Sequence, residues 1–209
     1  MKLDEQTRSI IVGTLLGDGH LETQNSGRTY RLKIEHSVKQ RAYVQWLYEH
    51  LEKWVLQSPK EKTKVVKGKT YTNIWFSTIS DGKFRFYGQQ FYDKDGKKQV
   101  PPNIDKMLTP LALAVWFMDD GSAKSKQHKA LILNTQCFSK KEQKVLIKTL
   151  SKKFEIEANL RPQREGYQLI ISRPAKFIEL IKPYLLPNFY YKLGANLRQD
   201  KTAFTQKRK

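Results

Sequence analysis

Two stretches of this chain share one shape, a run of apolar residues ending in an aspartate and a glycine. IVGTLLGDG covers residues 11–19 and LAVWFMDDG residues 113–121. Asp18 and Asp120 stand 102 positions apart in 209, close to half the length, so the spacing calls for an internal repeat. The placement is also unusual chemically. A carboxylate at the C-terminal end of a helix sits at the wrong pole of the macrodipole. One Asp-Gly is an ordinary helix stop; two at matching places ask for a function.

The rest of the chain repeats in the same order. In the first half, a helix over about 4–18 opens on Asp4 as N-cap, and Gly13 and Gly17 lie four apart on it, which suits close approach of another backbone. TYRLKIEHS alternates as a strand, and KQRAYVQWLYEHLEKWVL is an amphipathic helix. KEKTKVV and TYTNIWFSTIS form a hairpin around Lys67-Gly68-Lys69, KFRFYGQQFY is a short helix, and DKDGKKQVPPNID is a loop. In the second half, Thr109 caps a helix with Pro110 at its first position. HKALILNTQCF reads as a strand, and SKKEQKVLIKTLSKKF as a helix with a Ser139–Glu142 capping box. A strand pair turns at Arg164-Glu165-Gly166, then PAKFIELIKPYLL is a helix, PNFYYKLGANLR a terminal loop and Lys207-Arg208-Lys209 a fraying tail. Pro101-Pro102-Asn103 is the natural junction, giving repeats at 1–103 and 104–209.

Charge narrows the partner. The 39 Lys and Arg against 20 Asp and Glu leave a net +19, a self-repulsion that a polyanion offsets. The cations are spread along the chain and not gathered on one amphipathic helix, and no run of 18 apolar residues occurs, so a membrane is not the expected partner. The single Cys137 excludes an intrachain disulfide and a zinc-finger cluster; it is expected to be a small buried residue in a reducing, intracellular compartment, bacterial cytoplasm or a coding organelle. DKDGKK lacks the Glu at loop position twelve of an EF-hand, and GDGHLE lacks the third glycine of a dinucleotide site.

Two carboxylates held together repel each other, and a divalent cation relieves that cost. Hard oxygen ligands suit Mg²⁺, which keeps several waters and takes one or two carboxylates plus phosphate. In a basic protein, such a pair points to metal-assisted phosphodiester hydrolysis.

LAVWFMDDG resembles the LAGLIDADG motif over nine positions, and IVGTLLGDG resembles its other copy. The chain is similar to the LAGLIDADG homing endonucleases in their single-chain, two-motif form. LTPLALAVWFMDDG, LNTQCF and IKPYLLPNFYYKL are similar to stretches of a yeast mitochondrial intron-encoded member. The resemblance implies an α+β fold of two pseudo-twofold αββαββα repeats, an antiparallel-sheet saddle for DNA with the motif helices packed at the interface. It implies a monomer that cuts both strands of double-stranded DNA at a long, asymmetric site, across the minor groove, leaving short 3′ overhangs. It implies Mg²⁺, with Mn²⁺ expected to substitute.

By the same resemblance, Asp18 and Asp120 are metal ligands, with the backbone carbonyls of Gly17 and Asp119 as further ligands. Lys98 and Lys192 are the basic residues near the cleavage centre, and Gln136 positions water, with His36 a weaker counterpart. Asp119 stands where the family often has a small residue, so the two sites are expected to be unequal. Arg31, Lys33, His36, Lys62, Lys64, Lys69, Arg161 and Arg164 lie on or near expected strands and form the DNA-binding group, since two-stranded ribbons fit the major groove. Trp46, Trp54 and Trp116 read as core. The rivals are an intron RNA maturase on the same scaffold and a silent DNA-binding regulator; an intein is not expected, as no protein-splicing region flanks the motifs.

Overall fold

The structure is a computed structural model and describes residues 2–125 and 127–199, with residues 195 and 197–199 described by backbone alone. The 207–209 tail lies outside the described residues. The chain divides into two compact units, Met1–Lys97 and Lys98–Lys209.

In the first unit, α1 (Glu5–Leu16) is capped by Asp4, whose carboxylate accepts from the Thr7 amide at 2.7 Å. Ile10 to Leu16 are buried on every side of this helix, so it is a core element and not an amphipathic surface one. It ends at Leu16, two residues short of the expected end at Asp18. The Gly17 amide closes onto Gly13, and the Gly19 amide reaches the Thr14 carbonyl at 2.8 Å. The chain then enters β1 (His20–Glu22) and β2 (Arg31–Ser37), followed by α2 (Arg41–Leu51). The hairpin β3 (Lys60–Val66) and β4 (Lys69–Ser77) and the short α3 (Arg85–Phe91) complete the unit. The antiparallel sheet runs β1-β2-β4-β3. Leu32, Ile34, Ile74 and Phe76 project from one sheet face and are buried with Tyr43, Val44 and Leu47 of α2. Burying each such side chain contributes about 1.5–3 kcal/mol.

The second unit repeats the order. A single turn, α4 (Ile104–Met107), precedes α5 (Pro110–Asp120), where Thr109 accepts from the Ala112 amide and Pro110 opens the helix. Then come β5 (Gly121–Ala123), β6 (Leu131–Leu133), α6 (Lys140–Phe154), β7 (Asn159–Gln163), β8 (Gly166–Ile171) and α7 (Ala175–Ile181). The sheet order β5-β6-β8-β7 matches the first. Both units are αββαββα, with the extra turn of α4 in the second. Among the described residues, no helix is long and apolar enough to cross a membrane.

Three expectations need correction. The strand expected over 128–138 is only Leu131–Leu133. Past it, Asn134 donates to the Asp120 carbonyl and Phe138 closes a turn onto Thr135. Buried Gln143 of α6 pins that turn, its amide reaching the carbonyls of Thr135, Phe138 and Tyr167. Cys137 sits in this turn and is exposed, not buried. The expected terminal loop is a 3-10 segment, Pro187–Gln199, kinked at Gly194 with φ 57.

Candidate active site and nucleic-acid interface

Each motif helix delivers its aspartate by the same device, a glycine folded against the last turn of the helix. In the first unit, a Cβ on Gly19 would lie 2.9 Å from the Thr14 Cβ, so the chain can double back there only without a side chain. Thr14 itself is held by hydrogen bonds to the Ile10 and Ile11 carbonyls. Asp18 is thereby turned outward, with 53% of its side chain exposed and its Oδ2 3.7 Å from the His36 Nδ1. In the second unit, Gly121 holds the matching place, and a Cβ there would fall 2.1 Å from the Phe117 ring. Asp119 and Asp120 are both half-buried at the end of α5.

Lys192 explains how α5 tolerates two acids at its negative pole. The ammonium is buried and donates to the carbonyls of Met118 at 2.5 Å and Asp119 at 2.9 Å. It satisfies carbonyls that a helix end leaves without partners and brings the cation the dipole favours. The Asp119 carbonyl, read as a metal ligand, is thus bound by Lys192. Gln136 is exposed in the turn pinned by Gln143. Its neighbour Cys137 has its thiol held above the ordinary value; desolvation raises it, Lys98 lowers it and Asp120 raises it again. Lys98 and Asp120 therefore both act on this turn. Lys98 is the first residue of the second unit.

The donors at each motif end are hard oxygens, partly open to solvent. That chemistry fits a Mg²⁺-type ion, which binds few carboxylates and retains waters.

The sheets settle which cations share a face. Ladder register in the first unit puts His20, Glu22, Arg31, Lys33, Glu35, Lys60, Lys62, Lys64, Lys69, Tyr71, Asn73 and Trp75 on the side away from α2. Five of the expected DNA-binding residues are there. His36 is not: the alternation turns it to the buried face, where its ring packs 5.2 Å from Tyr43. Its place in a DNA-reading surface is withdrawn; it is a neighbour of Asp18. Lys60 and Trp75 were missed, although the same period-2 alternation would have found both. Trp75 is half-buried on the open face, with the Lys33 ammonium 5.8 Å from its ring. Trp46 is also half-buried, whereas Trp54 and Trp116 are core.

Two acids temper this face. Glu35 accepts from Lys62 at 2.6 Å and Asn73 at 2.7 Å. Desolvation pushes its carboxyl up, but those donors outweigh it and hold the group below the ordinary value. Glu22 is lowered in the same way, desolvation being outweighed by Arg31 and Lys33. The matching face of the second unit carries few charges. Arg161 pairs with Gln168 and Asn159 with Ile170, while Gln168 donates to the Asn134 side chain at 2.6 Å. Arg164 is exposed at the β7–β8 turn.

Comparison with known proteins adds the following. A sequence model of the LAGLIDADG DNA endonuclease family matches residues 8–177. The chain is 33% identical over 201 residues to cytochrome b mRNA maturase bI2 of Saccharomyces cerevisiae, covering 89% of this chain and 47% of that protein, so it spans about half of that relative. It is 30% identical over 211 residues to the DNA endonuclease I-ChuI of Chlamydomonas applanata, covering 93% of this chain and 97% of that one. The solved structure of the homing endonuclease I-WcaI bound to its DNA recognition sequence matches with a TM-score of 0.86 at 25% identity, over 92% of this chain and 88% of that one.

Proposed function

The chain belongs to the LAGLIDADG DNA endonuclease family, and on that premise we propose that it is a homing endonuclease that hydrolyses both strands of a long, asymmetric DNA site with a divalent cation. The observation that carries this reading is the repeated motif end: a buried helix, a glycine fold-back and an aspartate, exposed in the first unit and half-buried in the second, beside a sheet whose open face is basic in the first unit. Asp18 and Asp120 would hold the cation, Mg²⁺ by preference and Mn²⁺ as its substitute, with the Gly17 carbonyl as a further oxygen donor, whereas the Asp119 carbonyl is already taken by the Lys192 ammonium. Such an ion, when bound, polarises the scissile phosphate and lowers the pKa of a bound water. Lys98 and Lys192 place positive charge where the phosphorane develops its negative charge. Gln136, held on its pinned turn, orients the attacking water. The lysine face of the first sheet grips phosphates, and the amide-rich face of the second reads base edges. The protein acts as a monomer of two sequence repeats, 1–103 and 104–209, with the stretch 98–103 at the end of the first repeat belonging to the second compact unit.

The test is selection of cut products from a randomised duplex library in Mg²⁺ and, separately, in Ca²⁺. Cut sites recovered in Mg²⁺ are the expected result; their absence at every sequence would overturn the reading. Asp18→Asn and Asp120→Asn should each abolish double-strand cleavage while duplex binding persists, and full cutting by either variant would remove the proposed ligands. A second reading, that the chain assists splicing of an intron RNA, is favoured by one observation, its 33% identity to the Saccharomyces maturase. It predicts accelerated splicing of a cognate intron that both Asn variants retain.

A further inference from the structure

The geometry points to a second nucleic-acid surface, on the outer face of α6, shaped for duplex RNA. Lys141, Lys144, Lys148 and Lys152 are all exposed on this helix. Their spacing of three, four and four residues places them in one stripe about 16 Å long, at 1.5 Å rise per residue. The buried side of α6 is Gln143, Leu146, Thr149 and Leu150. At 100° per residue, the stripe lies roughly 160° round the helix from that side. Gln143 faces the sheet, since it bonds to the Tyr167 carbonyl of β8. The lysines therefore point away from the sheet, and the amide-rich face described above lies on its other side.

Two observations separate this stripe from an ordinary solvated surface. Among the described residues, none of the four lysines makes an ion pair, and like charges at three- and four-residue spacing disfavour a helix. Glu142, the acid of this helix, is spent on the Ser139 cap, and Glu155 at its end pairs with Lys176. The first unit supplies an internal control. Its α2 holds the same place in the repeat, yet its outer face is Arg41, Gln45 and Glu49, with Arg41 paired to Glu61 and Gln45 donating to Glu49. The fold does not require a cationic outer helix; only the second unit has one.

A row of free ammonium groups is complementary to a phosphate backbone. The same DNA duplex does not reach both faces of so small a unit, because its persistence length is about 50 nm. The occupant is thus a separate polyanion, and structured RNA, recognised by shape and phosphate, fits a row that offers no base-reading groups. The inference rests on the assignment of the open sheet faces to DNA and deepens the splicing reading.

The experiment compares the full chain with a variant carrying Lys141→Gln, Lys144→Gln, Lys148→Gln and Lys152→Gln, and with a hairpin variant carrying Lys60→Gln, Lys62→Gln and Lys64→Gln. Each is titrated with a labelled RNA stem-loop, a random-sequence DNA duplex and phosphatidylserine vesicles, after circular dichroism has verified its fold. The α6 variant should lose RNA affinity at least tenfold, its log–log salt slope shallower by about 3, while DNA affinity stays within about twofold of wild type by the same counterion argument. The hairpin variant should show the reverse, and excess DNA should not displace bound RNA. Equal loss of both ligands, unchanged RNA binding, mutual displacement, or vesicle binding in place of RNA binding would each overturn the proposal. Failure of the wild-type chain to bind DNA would instead overturn the endonuclease reading and leave the RNA result standing.

Discussion

Gly121 carries the tightest steric constraint in the second motif. An alanine methyl there would meet the Phe117 ring at 2.1 Å and the Phe117 carbonyl at 2.4 Å, so backbone must move. Gly121→Ala should lower stability by about 1–3 kcal/mol in urea unfolding, and it should displace Asp120. Lys192 is a second case. Lys192→Met leaves the Met118 and Asp119 carbonyls without this donor, at a cost of about 1–3 kcal/mol, whereas Lys98→Ala should slow cleavage with little change in stability. Unfolding midpoints alongside single-turnover rates check both, and an unaltered Lys192→Met midpoint would contradict the capping role. Local chemistry was legible here. Asp4, Thr109 and the Ser139–Glu142 pair cap their helices because a cap depends on three or four consecutive residues. The bond from Lys192 to Met118 joins residues 74 apart in sequence, and no local pattern encodes it. Cys137 misled for a related reason: its exposure follows from where Gln143 pins the turn, not from the thiol's apolar character.

At the scale of the element, the β3–β4 hairpin shows how much alternation can tell. Lys67 and Gly68 both have positive φ, 49 and 74, the backbone that a tight two-residue turn requires. The turn sets the register, and the register sends Lys60, Lys62 and Lys64 to one side. Glu35 neutralises part of that side through Lys62. Glu35→Gln should therefore raise DNA affinity and steepen the log–log salt dependence by about 1; weaker binding would refute that role. The same carboxylate has a pH signature. Its folded pKa is depressed, so its stabilising contribution is complete above the ordinary value of 4.5 and fades as pH falls through the lower folded value. The Gln variant should flatten the acid limb of an unfolding curve measured against pH. Strands β1 and β5, three residues each, are too short to show alternation and escaped the sequence reading. The β6 segment was overextended because no Gly or Pro follows Leu133 to mark where its ladder ends, and Cys137 and Phe138 resume an apolar character beyond Asn134, Thr135 and Gln136.

For the whole molecule, the charge of +19 is unevenly deployed. The first sheet gathers lysines; the second offers amides around Arg161. Duplex affinity should fall roughly a thousandfold or more between about 50 and 200 mM salt. Gln168→Ala should relax base preference in one half-site without altering that slope, as cleavage selection on the variant would reveal. The duplicated motif disclosed the two-repeat plan early, because an apolar helix ending in Asp-Gly is recognisable without any tertiary information. The division of labour between the sheets was not, since it depends on register. That division bears on a hazard unrelated to cutting. Each sheet has one short edge strand, β1 or β5, and one longer edge strand, β3 or β7, whose outward row of backbone donors and acceptors another chain could extend. β3 is exposed along all seven residues, Val65 and Val66 included, and its lysines repel a second copy. β7 has Pro162 instead, which removes a donor. The lysines proposed to grip a phosphate backbone would also keep the ligand-free protein from stacking edge to edge, so thinning them to tighten specificity would favour aggregation from the first unit and leave the second protected.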